Sequence, residues 1–457
     1  MRLSRMVFRV LTGSKQKNYD HVMKAIMFTA PSSGSGKTTV TMAIVRAIKN
    51  RGYNPSCFKT GPDYIDTAFL AAASGKSAGN LDLHLQGREG MRQALSMADS
   101  DYCVIEGAMG YFDGIANTFS GSSYDLGQEL GVPSVLVYTP RGEMFSAIPK
   151  IKGMAAFSGS LIKAVILNDV NRNIYLMLKE QIEKYTSLPV IGFMPRVKQS
   201  ELKSRHLGLI QSLEIANLDE LIETLAAQAE SNIDIEALMG IFAKVKSQPF
   251  PILRRRNLVV AIARDKAFSF YYRENLKLFE DTCEVKYFSP LNDNILPICD
   301  LLYLGGGYPE IFRSELSANK TMLESVRNYA NNGGFVYAEC GGMNYLCDTV
   351  EGTRMVGFLK GESRLTTGLQ RFGYVDICLL GDCLLGKAGD ILYAHEFHRS
   401  KTSIAALKIY SVTKTRGNKH WMCGYVLNNV LAGYPHLNFI GNLDAFKHLL
   451  EYVYKKR

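Results

Sequence analysis

Cys340 stands in NNGGFVYAECGGMNYL, residues 331–346. The apolar run from Phe335 to Ala338 predicts a buried strand, the paired glycines a sharp turn, and the residues beyond them a helix. Such an elbow lifts a nucleophile out of a sheet and aims it at a helix N-terminus. Backbone N–H groups there lower a thiol pKa and hold an oxyanion, so the chemistry on offer is covalent catalysis by a thiolate. The plain alternative is an inert core cysteine ahead of a Gly-Gly turn. His436, in GYPHLNF, is far enough along the chain to meet Cys340 in space.

A second constellation lies near the other end. AIMFTA, residues 25–30, predicts a buried strand that runs into PSSGSGKTT and then into a helix stopped at Gly52. This is a phosphate-binding loop in its required context. Gly34, Ser35 and Gly36 wrap the phosphates, Lys37 reaches the β- and γ-phosphates, and Thr38, ahead of Thr39, offers a hydroxyl to Mg²⁺. The general motif has glycine six residues before the lysine, where this chain has Pro31. Carboxylates follow at strand ends. Asp63 and Asp66 flank Tyr64, Asp82 comes later, Glu106 ends VIEGA, and Asp113 follows a glycine-spaced turn. Loops after the strands of a parallel sheet gather at one edge, so these groups are expected to hold Mg²⁺ or orient a substrate.

The elements that must carry these residues alternate strand and helix twice over, which predicts two α/β domains. A length of 457 residues agrees. The expected divisions are a basic extension over 1–22, a P-loop domain of parallel sheet over 23–198, a helical linker over 199–252 and a second α/β domain over 253–457. Residues 1–22 have a short apolar stretch broken by Arg9 and read as an upstream extension or loose tail, not a secretory signal.

The formal charge is +10 and the pI about 9.0. The cations are scattered, without a block or aromatic interleaving, which argues against nucleic acid and for small anionic ligands. No apolar run approaches membrane length. Nine cysteines without a CxxC pair read as a reduced, cytoplasmic pattern. His395 and His398, in AHEFHRS, have no cysteine close by in sequence and do not make a metal motif by themselves.

Taken in order, APSSGSGKTT, FKTGPDYIDTAF, NLD at 80–82, VIEGAMGYFDG, ILNDV, GFMPR, RHLGL, IARDKAFSFYY, YLGGGYPE, AECGGMNYL, HEFH and HLNF resemble the cobyrinic acid a,c-diamide synthases over nearly the whole chain. The resemblance implies a dethiobiotin-synthetase-like ATP domain followed by a class I glutamine amidotransferase domain. It implies that Cys340, activated by His436, hydrolyses L-glutamine, with Gly306 and Gly307 supplying the oxyanion hole. It implies Mg²⁺ on Thr38, Asp63 and Glu106, and substrate contacts from Asp63, Tyr64, Asp66 and Asp113, the last also catalytic. Asn168 would read the adenine of ATP. Ammonia would then amidate the a and c acetates of a corrin polycarboxylate, cobyrinic acid or its hydrogenobyrinic form, through acyl phosphates. A homodimer is compatible with this reading. Nickel-sirohydrochlorin amidation is the alternative, with cobyric acid synthesis or non-catalytic tetrapyrrole binding behind it. Two departures stand out. Asn438 follows His436 where a charged or second histidine partner is common, which predicts a weakened glutaminase. Tyr138 and Thr139 replace a common Asp-Ala, which predicts altered contacts there.

Overall fold

The structure is a computed structural model that describes residues 22–196 and 217–457, with 204, 205, 208, 209, 214 and 215 between them. The extension before residue 22, the boundary near 198 and part of RHLGL lie outside the described residues.

The first domain is built on the phosphate-loop strand. Seven strands run parallel in the spatial order Gly79–Leu81, Ser56–Thr60, Tyr102–Glu106, Val22–Thr29, Ser134–Tyr138, Ile162–Asn168 and Val190–Met194. Val22–Thr29 is central, and its side chains divide with period two. Ile26 and Phe28 pack under the helices Lys37–Asn50, Ile65–Ser74 and Leu218–Asn232, while Ala25 and Met27 face the other way. Helices on both faces make the strand a continuous apolar run. The core on the Ala25 and Met27 side continues into the second domain, so the two domains are joined by apolar packing.

Residues 218–246, within the expected helical linker, pack onto the first domain. Leu218, Ile222, Leu225 and Ala229 form an apolar stripe buried against helix Lys37–Asn50. Buried Arg46 fixes that contact through Asp219 at 2.7 Å and Glu223 at 2.5 Å. Strand Ala243–Lys246 then pairs antiparallel with Val22–Ala25, on the stretch of edge that Ser134–Tyr138, paired from Met27 onward, leaves free. An amphipathic stripe declares that a helix is buried but not against which element.

The second domain has a ten-stranded mixed sheet. Glu284–Phe288, Val259–Ala263, Leu301–Leu304, Phe335–Glu339 and Val430–Gly433 are parallel. His420–Leu427, Leu407–Lys414, Arg371–Leu379, Ile391–His398 and His436–Leu437 extend it antiparallel. These hairpins fill a region where the sequence reading named no strands. Among the described residues no helix is long and apolar enough to cross a membrane.

Candidate active sites

The phosphate loop turns on Gly34 and Gly36, both left-handed, at φ 72° and 77°. A Cβ on Gly36 would also stand 2.3 Å from Asn168 Nδ2, so glycine is required twice over there. Asn168 Nδ2 donates to Ser35 O at 3.3 Å and to Thr139 Oγ1 at 3.2 Å. Thr139 Oγ1 donates to Ser35 O at 3.0 Å. The unexpected Thr139 thus braces the loop, whereas Tyr138 turns to Glu143.

Below the loop lies a charged cluster. Thr38 Oγ1 donates to Glu106 Oε1 at 2.7 Å and to Asp66 Oδ2 at 3.3 Å. Lys59 Nζ bridges the same two carboxylates at 2.8 Å and 2.7 Å. Sequence reasoning placed Lys59 only at a strand end; its signal was a lone cation closing a strand that is otherwise buried. Burial opposes charge on Lys59, but Asp66 and Glu106 outweigh it and raise its pKa. Burial raises Glu106 against the pull of Lys59, and packing beside Asp66 adds to burial in raising Asp63 to about 7. Glu106 Oε2 is buried without a partner. An orphaned carboxylate oxygen beside a hydroxyl and further carboxylates is a hard-oxygen donor set that fits Mg²⁺.

Burial, aided by Lys59, lowers Lys37 to about 8. Its proton is therefore held less tightly than that of an ordinary lysine, and phosphate oxygens would raise the pKa again. ATP binding at about pH 8.5 should take up roughly three-quarters of a proton per site, fading below about pH 7. Calorimetry in buffers of different ionisation enthalpy reads this directly; a binding heat independent of buffer would contradict it.

Asp113 does not join this cluster. Its Oδ2 accepts from Gly110 N at 2.9 Å, and it lines an adjoining cleft of about 220 Å³ between the domains. Asp82 is no ligand either. Its Oδ1 caps the turn at His84 and Leu85, and its Oδ2 accepts from Tyr374 of the second domain at 2.6 Å.

The Cys340 elbow forms as expected. Strand Phe335–Glu339 ends at Cys340, whose φ of 46° is strained for a residue with a side chain, and helix Gly341–Leu346 follows. The paired glycines are explained by what they touch. A Cβ on Gly342 would lie 2.3 Å from Leu304 O, and one on Gly341 would lie 3.0 Å from Gly307 N. The GGGY loop is therefore seated against the elbow, and Gly306 abuts His436, where a Cβ would meet Cε1 at 2.4 Å.

The partner of His436 is not Asn438. Asn438 Oδ1 accepts from Ile440 N at 3.1 Å, and its Nδ2 points to buried Glu274 at 3.5 Å. Glu274 in turn accepts from Asn80 N of the first domain, so Asn438 belongs to the domain junction. The group facing His436 Nδ1 is Glu339, at an ion-pair distance of 3.7 Å. Glu339 is held by Tyr337, Tyr303 and Leu437 N at 2.7, 3.0 and 3.1 Å. The signal for it was a carboxylate closing an apolar strand, directly before the nucleophile. Burial opposes charge on His436, yet Cys340 and Glu339 raise it to about 10.

Replacing Glu339→Gln keeps the shape and removes the charge. The imidazolium exists only below its pKa, so lowering that pKa narrows the working window from the alkaline side. Glutamine hydrolysis should fall roughly 10²-fold or more, with the alkaline limb of its pH profile moved down. Asn438→Ala should lower thermal stability and leave that limb in place. An unmoved limb in Glu339→Gln would overturn the assignment.

The two sites meet. Tyr64 of the first domain stacks on Phe270, with centroids 5.3 Å apart, and lies 5.5 Å from the His436 ring. It borders a cavity of about 200 Å³ lined by Asp63 and Asp66 of the first domain and by His436, Tyr308 and His395 of the second. His395 Nδ1 bonds the Tyr272 hydroxyl at 2.9 Å, while His398 Nδ1 lies 2.9 Å from Ser400 O, so the two histidines of HEFH are engaged separately.

A family model described as a CobB/CobQ-like glutamine amidotransferase domain matches residues 259–443, and one described as a CobQ/CobB/MinD/ParA nucleotide binding domain matches residues 26–210. The cobyrinate a,c-diamide synthase of Clostridium acetobutylicum is 42% identical, over 94% of this chain and 100% of its own length. The chain belongs to the cobyrinate a,c-diamide synthase family. The synthases of Clostridium tetani and Streptococcus sanguinis are 40% and 36% identical, each over 94% of this chain and over 100% and 99% of their own lengths. The family is one of glutamine-hydrolysing ligases, and its two domains correspond to the two sites described above.

Proposed function

We propose that this chain amidates the a and c acetates of cobyrinic acid, using ATP and glutamine-derived ammonia. The cavity of about 200 Å³ that joins Asp63 and Asp66 to His436 carries the reading. Cys340 Sγ attacks the glutamine amide carbon, and His436 takes the thiol proton and returns it to the departing ammonia. The oxyanion lies against the backbone of Gly306 and Gly307. Water then cleaves the thioester to glutamate.

In the first domain a substrate carboxylate oxygen attacks the γ-phosphorus of ATP and ADP leaves. A carboxylate is a poor electrophile; the acyl phosphate has a leaving group. Lys37, Ser35 and Thr39 hold the phosphates, and Asn168, whose amide now braces the phosphate loop, lines the same cleft as Met194 and Arg196, where the adenine would lie. Thr38, Glu106 and Asp63 would hold Mg²⁺, which neutralises phosphate charge when bound. Ammonia crossing the cavity attacks the acyl carbon, and phosphate departs. Tyr64 and Asp66 border the reacting carboxylate, and Asp113 orients the macrocycle from the adjoining cleft. The nine free thiols agree with a reducing, cytoplasmic setting.

The test is product mass after incubation with Mg-ATP, glutamine and either cobyrinic acid or nickel-sirohydrochlorin. Two amidations of cobyrinic acid are expected. Amidation of nickel-sirohydrochlorin alone would move the chain to the alternative substrate.

A further inference from the structure

We propose that the tetrapyrrole polycarboxylate lies on the second domain, against a face made by Arg371, Phe372, Lys414, Lys419 and Trp421. The inference deepens the reading above and rests on its substrate class.

Continuity is the first argument. The cleft that holds Asp113 shares Phe372, Glu396 and Lys414 with a further pocket of about 280 Å³ on the outer strands of the second sheet. A macrocycle presenting one acetate beside Asp113 would extend over that pocket. Shape is the second. Phe372 is 49% exposed, large for a phenyl ring, and edge-packs on Phe397 at 5.1 Å. The Arg371 guanidinium lies over the Trp421 ring at 4.6 Å. Flat apolar surface rimmed by cations suits a conjugated ring with carboxylates at its edge.

Charge is the third argument. Arg371, Lys414 and Lys419 line the pocket with one acid, Glu396. Glu396 is turned inward: Oε1 accepts from Trp421 Nε1 at 3.3 Å, and Oε2 is buried without a hydrogen-bond partner, 3.6 Å from His398 Nε2. Arg371 and Lys414 donate to the backbone carbonyls of Gln370 and Phe372, which bear no full charge, so three cations face one carboxylate and the face stays net positive. Burial and the nearby Lys419 lower the pKa of Lys414, and Glu396 offsets this only in part. Arg416 crosses to Thr118 and Ser120 of the first domain and closes one end of the cleft. This face gives part of the net +10 a use.

Trp421 is the single tryptophan of the chain, so its fluorescence is a private reporter. Titration of the full-length protein with cobyrinic acid should quench it saturably. In the double variant Arg371→Ala, Lys419→Ala the dissociation constant should rise about tenfold or more, with a weaker dependence on salt and the KM for ATP held within about twofold. Both side chains are exposed, so the variant should fold. An unchanged dissociation constant with intact amidation would overturn the platform alone. Charge-sensitive binding without amidation would keep the platform and remove the proposed reaction. Absence of both binding and amidation in the unaltered protein would remove both.

Discussion

Cys340→Ser should lose glutamine-dependent amidation by about 10³-fold or more while retaining amidation supported by ammonium salt. Serine keeps the volume of the side chain and meets the same φ of 46°, so the elbow is expected to survive. What goes is the thiolate, since a hydroxyl beside His436 is a far weaker nucleophile. The domain junction does not involve the sulfur: Tyr64 rests on Phe270 and His436, and Asn80 on Glu274. Free ammonia can therefore still reach the acyl phosphate. Product mass and glutamate release, followed in parallel with each nitrogen source, check the prediction. Equal loss with glutamine and ammonia would show that Cys340 supports the fold or the ligase site and not a separate glutaminase.

Lys37→Met is expected to show the opposite pattern. Amidation should fall roughly 10²- to 10³-fold with either nitrogen source, because the lysine acts on phosphate charge in the step that both reactions share. Methionine preserves the buried aliphatic stem. It removes the donor now held by Ser32 O and Met109 O at 3.1 and 2.5 Å. Hydrolysis of glutamine in the absence of ATP should continue. Rates of ADP formation and glutamate release separate the two effects. Amidation that survived Lys37→Met would mean that Lys59, next in the cluster, neutralises the phosphates in its place.

The first site was legible because phosphate binding is local in sequence: a strand, a glycine turn and a helix hold Gly34 to Thr39 together. The Cys340 elbow was legible for the same reason. The third member of the glutaminase site was not. Position two after His436 suggested Asn438, yet that residue turns toward Glu274 and Asn80. Glu339, which faces His436, reads in sequence only as a strand end. Asp63 and Asp113 likewise read as one acidic group, and the fold separates them into the cavity and the cleft. The strand Ile391–His398 alternates exposed and buried residues over its first four positions, then meets the junction with buried Ala394, His395 and Glu396. His395 is buried where Tyr64 of the first domain packs on it, a contact between domains that strand periodicity cannot reveal.

The central claim is that a carboxylate is activated by phosphate before ammonia attacks. Cobyrinic acid carrying ¹⁸O in its acetate carboxylates, incubated with Mg-ATP and glutamine, tests it directly. An acyl phosphate leaves with one carboxylate oxygen, so each amide formed should deliver one ¹⁸O to inorganic phosphate, read by mass spectrometry. Diamide formation with unlabelled phosphate would contradict the account.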